Sequence, residues 1–285
     1  MCRNLVLLGL FSLVSVSTSF AADSLVVLDE NDPFYVDHTF PKLTTPQWIG
    51  DSVTDAVVVL AIDDMREPQK YEAFLRPIID RLKAIDGKSH VSIMSNAIDP
   101  SLPHYQDWIN EGVSLEVHTL THPCPLLARN DFSSAEDTFF GGIDLLNHVP
   151  GNLPVAYRMP CCDSINSPSP RFYAELFNRV NPAGQFLQID SSVMCSFTPS
   201  DPELPKEWVL NENGDERFAR YLPFESFVTT MENYPYPYLI GGKCWEFPCM
   251  VPSDWEAQNI QGNNHPDTVR DWKIALDLTV LKKGV

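Results

Sequence analysis

Four residues of the sequence combine types and spacing that suit a catalytic metal ion. Asp63 and Asp64 are adjacent and follow an apolar run, and His118 and His122 are four residues apart. Two like charges in a low-dielectric position are costly unless a cation neutralises them. On a helical turn, both imidazoles would face the same way and, with one carboxylate, form an open ligand set for a divalent metal. The sequence thus predicts a metal site, with zinc as the default ion.

Such a site has a defined chemistry. A divalent ion lowers the pKa of a bound water molecule, a nearby carboxylate accepts the proton, and the hydroxide attacks a carbonyl group. Because side chains alternate along a strand, one of the two aspartates can face the metal while the other reaches the water. The four residues therefore indicate a hydrolase that acts on an amide or an ester.

Alternating strands and helices would place these residues at one end of a sheet. Apolar runs predict strands near 55–64, 90–94, 113–117, 155–158 and 186–190, the first buried on both faces, and helices near 69–85, 103–110, 133–148, 170–180 and 267–283. This order is typical of a parallel sheet or barrel, where ligands bind at the carboxyl ends of the strands. The residues expected at that rim are Asp63, Asp64, His118, Arg158 and Asp190.

Local signals refine the ends of the predicted helices. Pro77 lies inside the helix near 69–85 and predicts a kink there. Ser133 and Glu136 form a capping box for the helix near 133–148. The last helix is expected to begin at Asp267 and to stop at Gly284.

Three motifs resemble those of the polysaccharide deacetylases of carbohydrate esterase family 4, the NodB homology domain. The family motifs Thr-Phe-Asp-Asp, His-Ser/Thr-x-x-His and Arg-x-Pro-aromatic correspond to Ala61-Ile62-Asp63-Asp64, His118-Thr119-Leu120-Thr121-His122 and Arg158-Met159-Pro160-Cys161. The motifs occur in the family's order, and the resemblance spans about residues 55–190. It implies an α/β fold of the distorted (β/α) barrel type over residues 55–285.

The resemblance also implies a role for each matched residue. The metal ligands would be Asp64, His118 and His122. Asp63 would be the general base, and Arg158 would orient it and tune its charge. The backbone N–H of Cys161 would stabilise the oxyanion of the reaction. The implied substrate is an acetylated polysaccharide or oligosaccharide.

Two further motifs of the family are incomplete in this sequence. Asp190 begins a segment like the fourth motif, but Val193 and Met194 stand where its second acid and tryptophan would be. The fifth motif, Leu-x-His on a late strand, supplies the family's general acid and is not found; His265 is the alternative acid. We expect the barrel to lack its last strand, the sequence being a fragment that ends just before it.

Three functions remain open from the sequence. The leading interpretation is a metal-dependent deacetylase that removes N- or O-acetyl groups from a glycan. The missing acid motif leaves a second, a non-catalytic carbohydrate-binding protein that retains the fold and the metal site. The third is a metal hydrolase of the same architecture that cleaves another amide or ester.

The first residues predict export. An apolar run from Leu5 to Val16 precedes small residues at Ser19 and Ala21, which predicts a signal peptide over residues 1–21. The run is shorter than the ~20 residues that span a bilayer. We therefore expect a secreted or periplasmic protein with a lead segment at 22–54 and no transmembrane span after cleavage. The net charge of −18 and the absence of a Lys/Arg stripe argue against a nucleic-acid partner.

Cysteines and prolines mark the second half of the chain. The cysteines outside the signal peptide are Cys124, Cys161, Cys162, Cys195, Cys244 and Cys249. An even number in an exported chain predicts disulfides, with the pairing open and a thiolate metal ligand as the alternative. Residues 195–251 interrupt the alternation, and we interpret them as a long loop insertion on the face that carries the loops. The sequence equally allows a variable insertion that has no direct role in function.

Overall fold

The structure is a computed structural model that describes residues 43, 45, 46, 48, 52–124, 126–127, 131–162, 170–177, 179, 187–222, 230–241, 244–256, 259, 262 and 265–285. The predicted signal peptide and most of the lead segment lie outside these residues. Within them, no helix combines the length and the apolar character needed to cross a bilayer.

The strands form a seven-stranded and a three-stranded sheet. The described strands are β1 (Ala61–Asp63), β2 (Val91–Ser95), β3 (Val113–Val117), β4 (Ala156–Tyr157), β5 (Ile189–Asp190), β6 (Met194–Ser196), β7 (Met231–Glu232), β8 (Tyr238–Ile240), β9 (Cys244–Glu246) and β10 (Cys249–Met250). The large sheet has the order β1-β2-β3-β4-β5-β9-β8, in which only the β8–β9 pair is antiparallel. The predicted α/β class is confirmed.

The two edges of the large sheet are β1 and β8, so the described strands form an open order rather than a closed barrel. The end of the chain links both edges. The backbone N–H of Val57, ahead of β1, donates to Gly284 O at 3.1 Å, and that of Val285 donates to Pro235 O, ahead of β8, at 2.8 Å. β1 is an edge strand among the described strands, its three residues are partly buried or exposed, and Val58 ahead of it is 63% exposed. The prediction of a run from residue 55 that is buried on both faces is therefore wrong.

The helices lie between the strands. The described α-helices are α1 (Pro68–Lys70), α2 (Arg76–Asp86), α3 (Pro103–Asn110), α4 (Phe132–Asn147), α5 (Pro170–Phe172), α6 (Lys206–Val209), α7 (Asp254–Glu256) and α8 (Pro266–Lys282). A π-helical turn over Tyr71–Leu75 joins α1 to α2. Pro77 lacks an N–H for the ordinary helical bond, which explains the irregular turn just before it and matches the predicted kink.

Two predicted helix starts are wrong by two residues. The carboxylate of Asp131, rather than Ser133, caps α4 by accepting from Ser134 N. His265 caps α8 in place of Asp267, and its ring nitrogen accepts from Asp267 N at 3.2 Å. The end of α8 also differs, because Lys283 adopts the left-handed conformation (φ 56°) that Gly284 was expected to provide. Several polar residues near a helix start can cap it, and the backbone outside the helix selects one.

The segment 195–251 contains strands and is not a structureless insertion. It contributes β8 and β9 to the large sheet, and its β7 and β10 flank β6 in the small parallel sheet. Around the small sheet lies a second apolar cluster, which includes Phe197, Phe218 and residues of α8. Strands of two or three residues carry too little periodicity to be recognised from the sequence.

Candidate metal centre

The two aspartates at the end of β1 have different partners. The Asp63 carboxylate accepts a hydrogen bond from Arg158 Nη1 at 2.8 Å. Asp64 has a φ of 61°, which turns the chain at the end of the strand. Its Oδ2 atom lies 3.5 Å from His122 Nε2. Asp64 thus lies against His122, whereas Asp63 is paired with Arg158.

The two histidines lie in a loop rather than on a helical turn. His118 directly follows β3 and is 1% exposed. Thr119 and His122 have φ values of 63° and 54°, and the Thr119 hydroxyl accepts from His122 N at 3.0 Å. The expected helical geometry is therefore wrong, yet the rings lie together, with centroids 4.9 Å apart.

Helix α4 holds this loop in place. Thr138 Oγ1 accepts from the backbone N–H groups of Leu120 and Thr121, at 3.2 and 3.0 Å. Gly142 lets the helix approach, since a Cβ atom there would lie 2.8 Å from the carbonyl carbon of Thr119. The loop is thus positioned by contacts with a rigid helix.

Asp64, His118 and His122 converge on one point. One ligand atom from each residue lies within 4.8 Å of the others. His118 Nδ1 is 2.7 Å from Arg158 O, so this nitrogen carries the proton that it donates to the carbonyl oxygen. The Nε2 atom therefore has a lone pair that can bind a metal ion. Burial lowers the pKa of His118, because desolvation disfavours the imidazolium, and a neutral ring is the form that binds metal. The three side chains can hold a divalent metal ion.

Strained backbone is concentrated around these residues. Of the eight non-glycine residues with positive φ in the described part of the chain, five lie here: Asp64, Thr119, His122, Cys161 and Cys162. Left-handed conformations cost free energy and persist where surrounding contacts enforce them, often at functional sites. This concentration is independent of the ligand geometry and points to the same place.

Hydrogen bonds connect Arg158, which follows β4, with the segments that follow β5 and β9. Its Nε atom donates to Ser191 O at 2.9 Å, and Nη2 donates to Ser191 Oγ at 3.0 Å. Ser191 in turn donates to Phe247 O, just after β9, at 2.9 Å. These bonds fix the guanidinium beside Asp63. Sequence reasoning missed Ser191, whose only signal was its position after a predicted strand.

A disulfide joins the third motif to the segment that follows the second motif. A disulfide links Cys161, three residues after Arg158, to Cys124, two residues after His122. This confirms the preference for a disulfide over a thiolate ligand at Cys124. The remaining described cysteines, Cys162, Cys195, Cys244 and Cys249, are not disulfide-bonded.

Arg66 and Asn96 are neighbours of the site that sequence reasoning missed. Arg66 Nη2 lies 2.6 Å from Asp64 Oδ1, and Asn96 donates to the same carboxylate oxygen. Arg66 also donates to Asn96 Oδ1. The carboxylate that would bind a metal is therefore already paired with a cation.

Replacing Arg66 with alanine is expected to strengthen zinc binding roughly fivefold. In the wild type, zinc binding to Asp64 would break the ion pair with Arg66, which is worth about 1 kcal/mol, and the variant avoids this cost. Calorimetric titration of zinc into the metal-free protein measures this change. Arg171→Ala, which removes a comparably exposed ion pair with Glu175, is the matched control. Weaker zinc binding by the Arg66 variant would show instead that Arg66 orients Asp64 for the metal.

Asp190 does not lie at the open rim where we expected it. It is fully buried, with Tyr173 OH donating to Oδ2 at 2.8 Å and Ser192 Oγ donating to Oδ1. Ser192 Oγ also accepts from Met159 N at 2.9 Å. Because β5 pairs with β9 in register, Asp190 lies beside the buried Glu246. Through Ser192, Asp190 holds the backbone N–H of Met159, the residue after Arg158.

Glu246→Gln is expected to flatten the pH dependence of stability. Burial and the neighbouring Asp190 raise the pKa of Glu246 well above its usual range, so the folded state retains a proton that the unfolded state releases. Stability is therefore lost as pH rises above the unfolded carboxyl range, by up to about 1.4 kcal/mol per pH unit. Glutamine retains an acceptor for Val193 N but cannot titrate.

Urea unfolding between pH 4 and pH 8 measures this slope. Glu232→Gln, which changes a carboxylate at an exposed position of β7, should keep the wild-type slope. An unchanged slope in the Glu246 variant would show that Glu246 does not hold the proton that the folded state retains.

The chain is similar to solved structures of polysaccharide deacetylases and of a family 4 carbohydrate esterase. Peptidoglycan deacetylase PdaC from Bacillus subtilis is 24% identical with a TM-score of 0.28, over 37% of this chain and 49% of that chain. A family 4 carbohydrate esterase from Streptomyces lividans, solved with acetate, is 16% identical with a TM-score of 0.29, over 38% and 53%.

A Mycobacterium smegmatis protein assigned as a polysaccharide deacetylase is 16% identical with a TM-score of 0.44, over 87% of this chain and 79% of that chain. The chain spans about half of the length of the first two structures. No protein-family model matches the sequence, and no curated protein matches it significantly.

Proposed function

We propose that this protein is a secreted or periplasmic, metal-dependent hydrolase that removes N- or O-acetyl groups from a polysaccharide or oligosaccharide. The observation that carries the proposal is the Asp64, His118 and His122 cluster placed beside the Asp63–Arg158 pair. Residues 55–285 form its deacetylase-like domain, and residues 1–21 direct export.

The donor set favours zinc. Two imidazole nitrogens and one carboxylate oxygen, with an open fourth position, are ligands that zinc takes in catalytic sites. The Arg158 carbonyl fixes the His118 ring with Nε2 available, which is the second contact that metal-binding histidines usually make. The metal would supply a water molecule of lowered pKa and polarise the acetyl carbonyl.

The chain's own residues would move the proton and hold the substrate. Asp63 accepts the water proton at the carboxylate oxygen that Arg158 does not occupy. Arg158 is itself held by Ser191, so it keeps Asp63 in one orientation and favours the carboxylate. The backbone N–H of Cys161 donates to the oxygen that becomes negative as the acetyl group is attacked.

A carbohydrate-binding protein without turnover is the second candidate. This candidate is favoured because a histidine that could serve as the general acid is not found beside the metal cluster. Among the described residues, none of the histidines other than His118 and His122 contacts the cluster. His104 is in tilted ring contact with Trp108, His148 Nδ1 is hydrogen-bonded to Asp144 O, and His265 caps α8. Under this candidate, the metal and Asp63–Arg158 organise a sugar-binding surface.

Acetate release separates the candidates. The full chain, loaded with zinc, is incubated with an N-acetylated chitin oligosaccharide and with O-acetylated xylan, with and without a chelator. We expect acetate from one of the two substrates, lost after chelation and restored by zinc. Glycan binding without acetate from either substrate would support the non-catalytic candidate. Acetate release that survives chelation would rule out the metal-dependent mechanism.

A further inference from the structure

Cys162 and Cys249 form a second cysteine pair beside the site. Cys162 ends the short helical turn Pro160–Cys162, and Cys249 begins β10. Their side chains are hydrogen-bonded to one another, and both are partly exposed. The two other described cysteines outside the disulfide, Cys195 and Cys244, are fully buried. The pair thus connects two segments that are distant in the sequence.

The pair is in contact with the group that holds Arg158. Cys249 Sγ lies 3.1 Å from Ser191 O and 3.3 Å from Ser191 Oγ. These are the two oxygens that accept from the Arg158 guanidinium. A covalent bond at Cys249 would therefore act next to the arginine that orients Asp63.

Disulfide chemistry suits this geometry better than metal binding. Among the described residues, the only cluster of three metal-ligating groups is the one at Asp64, so the cysteine pair lacks a third ligand. The pKa of Cys249 is lowered because the Cys162 thiol donates to its sulfur and Arg158 lies nearby. A low thiol pKa supplies the attacking thiolate for exchange. Cys161 is already paired with Cys124, which leaves Cys162 to Cys249.

We propose that Cys162 and Cys249 are a disulfide-forming site that a small-molecule disulfide such as oxidised glutathione closes. The Cys249 thiolate attacks one glutathione sulfur, which forms a mixed disulfide and releases a glutathione thiolate. The Cys162 thiol loses its proton to solvent and attacks Cys249 Sγ, which releases the second glutathione. Two protein thiols are oxidised, and one glutathione disulfide is reduced to two thiols.

The closed site ties three segments together. Cys124 follows the histidine loop, Cys161 and Cys162 follow Arg158, and Cys249 belongs to β10, so two consecutive disulfides would link all three. Such bonds persist in oxidising compartments. The inference does not require that the protein removes acetyl groups.

The test uses the folded full chain treated with oxidised glutathione, followed by alkylation in denaturant and mass mapping of unreduced peptides. We expect the alkylatable thiols among the described cysteines to fall from four to two, with Cys249 linked to the Cys162 peptide. Cys195→Ser should still lose two thiols. Cys162→Ser should lose one thiol, as a glutathione adduct at Cys249, because the attacking thiolate remains and the thiol that would displace the glutathione is gone.

A background of Cys124→Ser with Cys161→Ser removes ambiguity from the adjacent cysteines, and there the Cys162–Cys249 link should still form. Several outcomes would overturn the proposal: alkylation of both cysteines in the treated wild type, glutathione adducts on both, or a Cys162–Cys124 link. A second zinc ion bound at the pair without a disulfide would also overturn it. Mapping of the wild type alone decides the matter if a variant fails to fold.

Discussion

Asparagine in place of Asp63 is expected to reduce acetate release by about 10²- to 10⁴-fold, the range over which general base catalysis contributes. Asparagine can still accept the hydrogen bond that Arg158 Nη1 donates at 2.8 Å, so the local structure should persist. It cannot accept a proton. Steady-state acetate release by zinc-loaded protein measures the loss, and the affinity for zinc should change little because Asp63 is not one of the three clustered ligands.

Asp80→Asn is the matched control for this substitution, since Asp80 is an exposed carboxylate on α2. It should release acetate at the wild-type rate. Wild-type turnover by the Asp63 variant would assign the proton transfer to another group. A parallel loss of zinc would place Asp63 among the metal ligands instead.

Removal of a proposed metal ligand is the second large effect. His118→Ala is expected to weaken zinc binding by more than about 100-fold, because even the outer partners of metal ligands change affinity by 10- to 100-fold. Acetate release at limiting zinc should fall with it. Zinc content after dialysis, measured by atomic spectroscopy, should drop from about one ion per chain to nearly none.

A buried histidine also contributes to packing, so a second variant keeps this prediction testable. His122 is partly exposed, with its side chain 33% accessible, and His122→Ala should lose zinc with less effect on stability. His148→Ala, at an exposed helix end, should keep both zinc and stability. Full zinc content in both His118 and His122 variants would show that the cluster is not the metal site.

Much of the local structure could be predicted from the sequence. The boundaries of α3 (Pro103–Asn110) and β3 (Val113–Val117) agree with the prediction, because a proline at a helix start and an apolar run are local signals. The irregular turn before Pro77 was predicted for the same reason. Capping was less predictable, since Asp131 and Ser133 both have side chains that can cap a helix.

Contacts between distant segments could not be predicted. Asp190 looked like a rim residue because it ends a strand, but the pairing of β5 with β9 buries it against Glu246. Arg66 follows Asp64 by two residues, yet nothing in its spacing showed that it would turn back to pair with that carboxylate. The strands within 195–251 stayed hidden because runs of two or three residues carry too little periodicity to indicate a strand.

The sequence by itself determined which chemical groups the site contains: two aspartates at the end of a strand, two histidines four residues apart and an arginine after a later strand. Residue types and short spacings are local properties, and together with the family resemblance they predicted three side chains that the fold brings close enough to hold a metal ion. Only the tertiary structure decided how these groups are held. The bonds from Ser191 to Arg158, the disulfide from Cys124 to Cys161 and the contact of Cys162 with Cys249 depend on how whole strands pack.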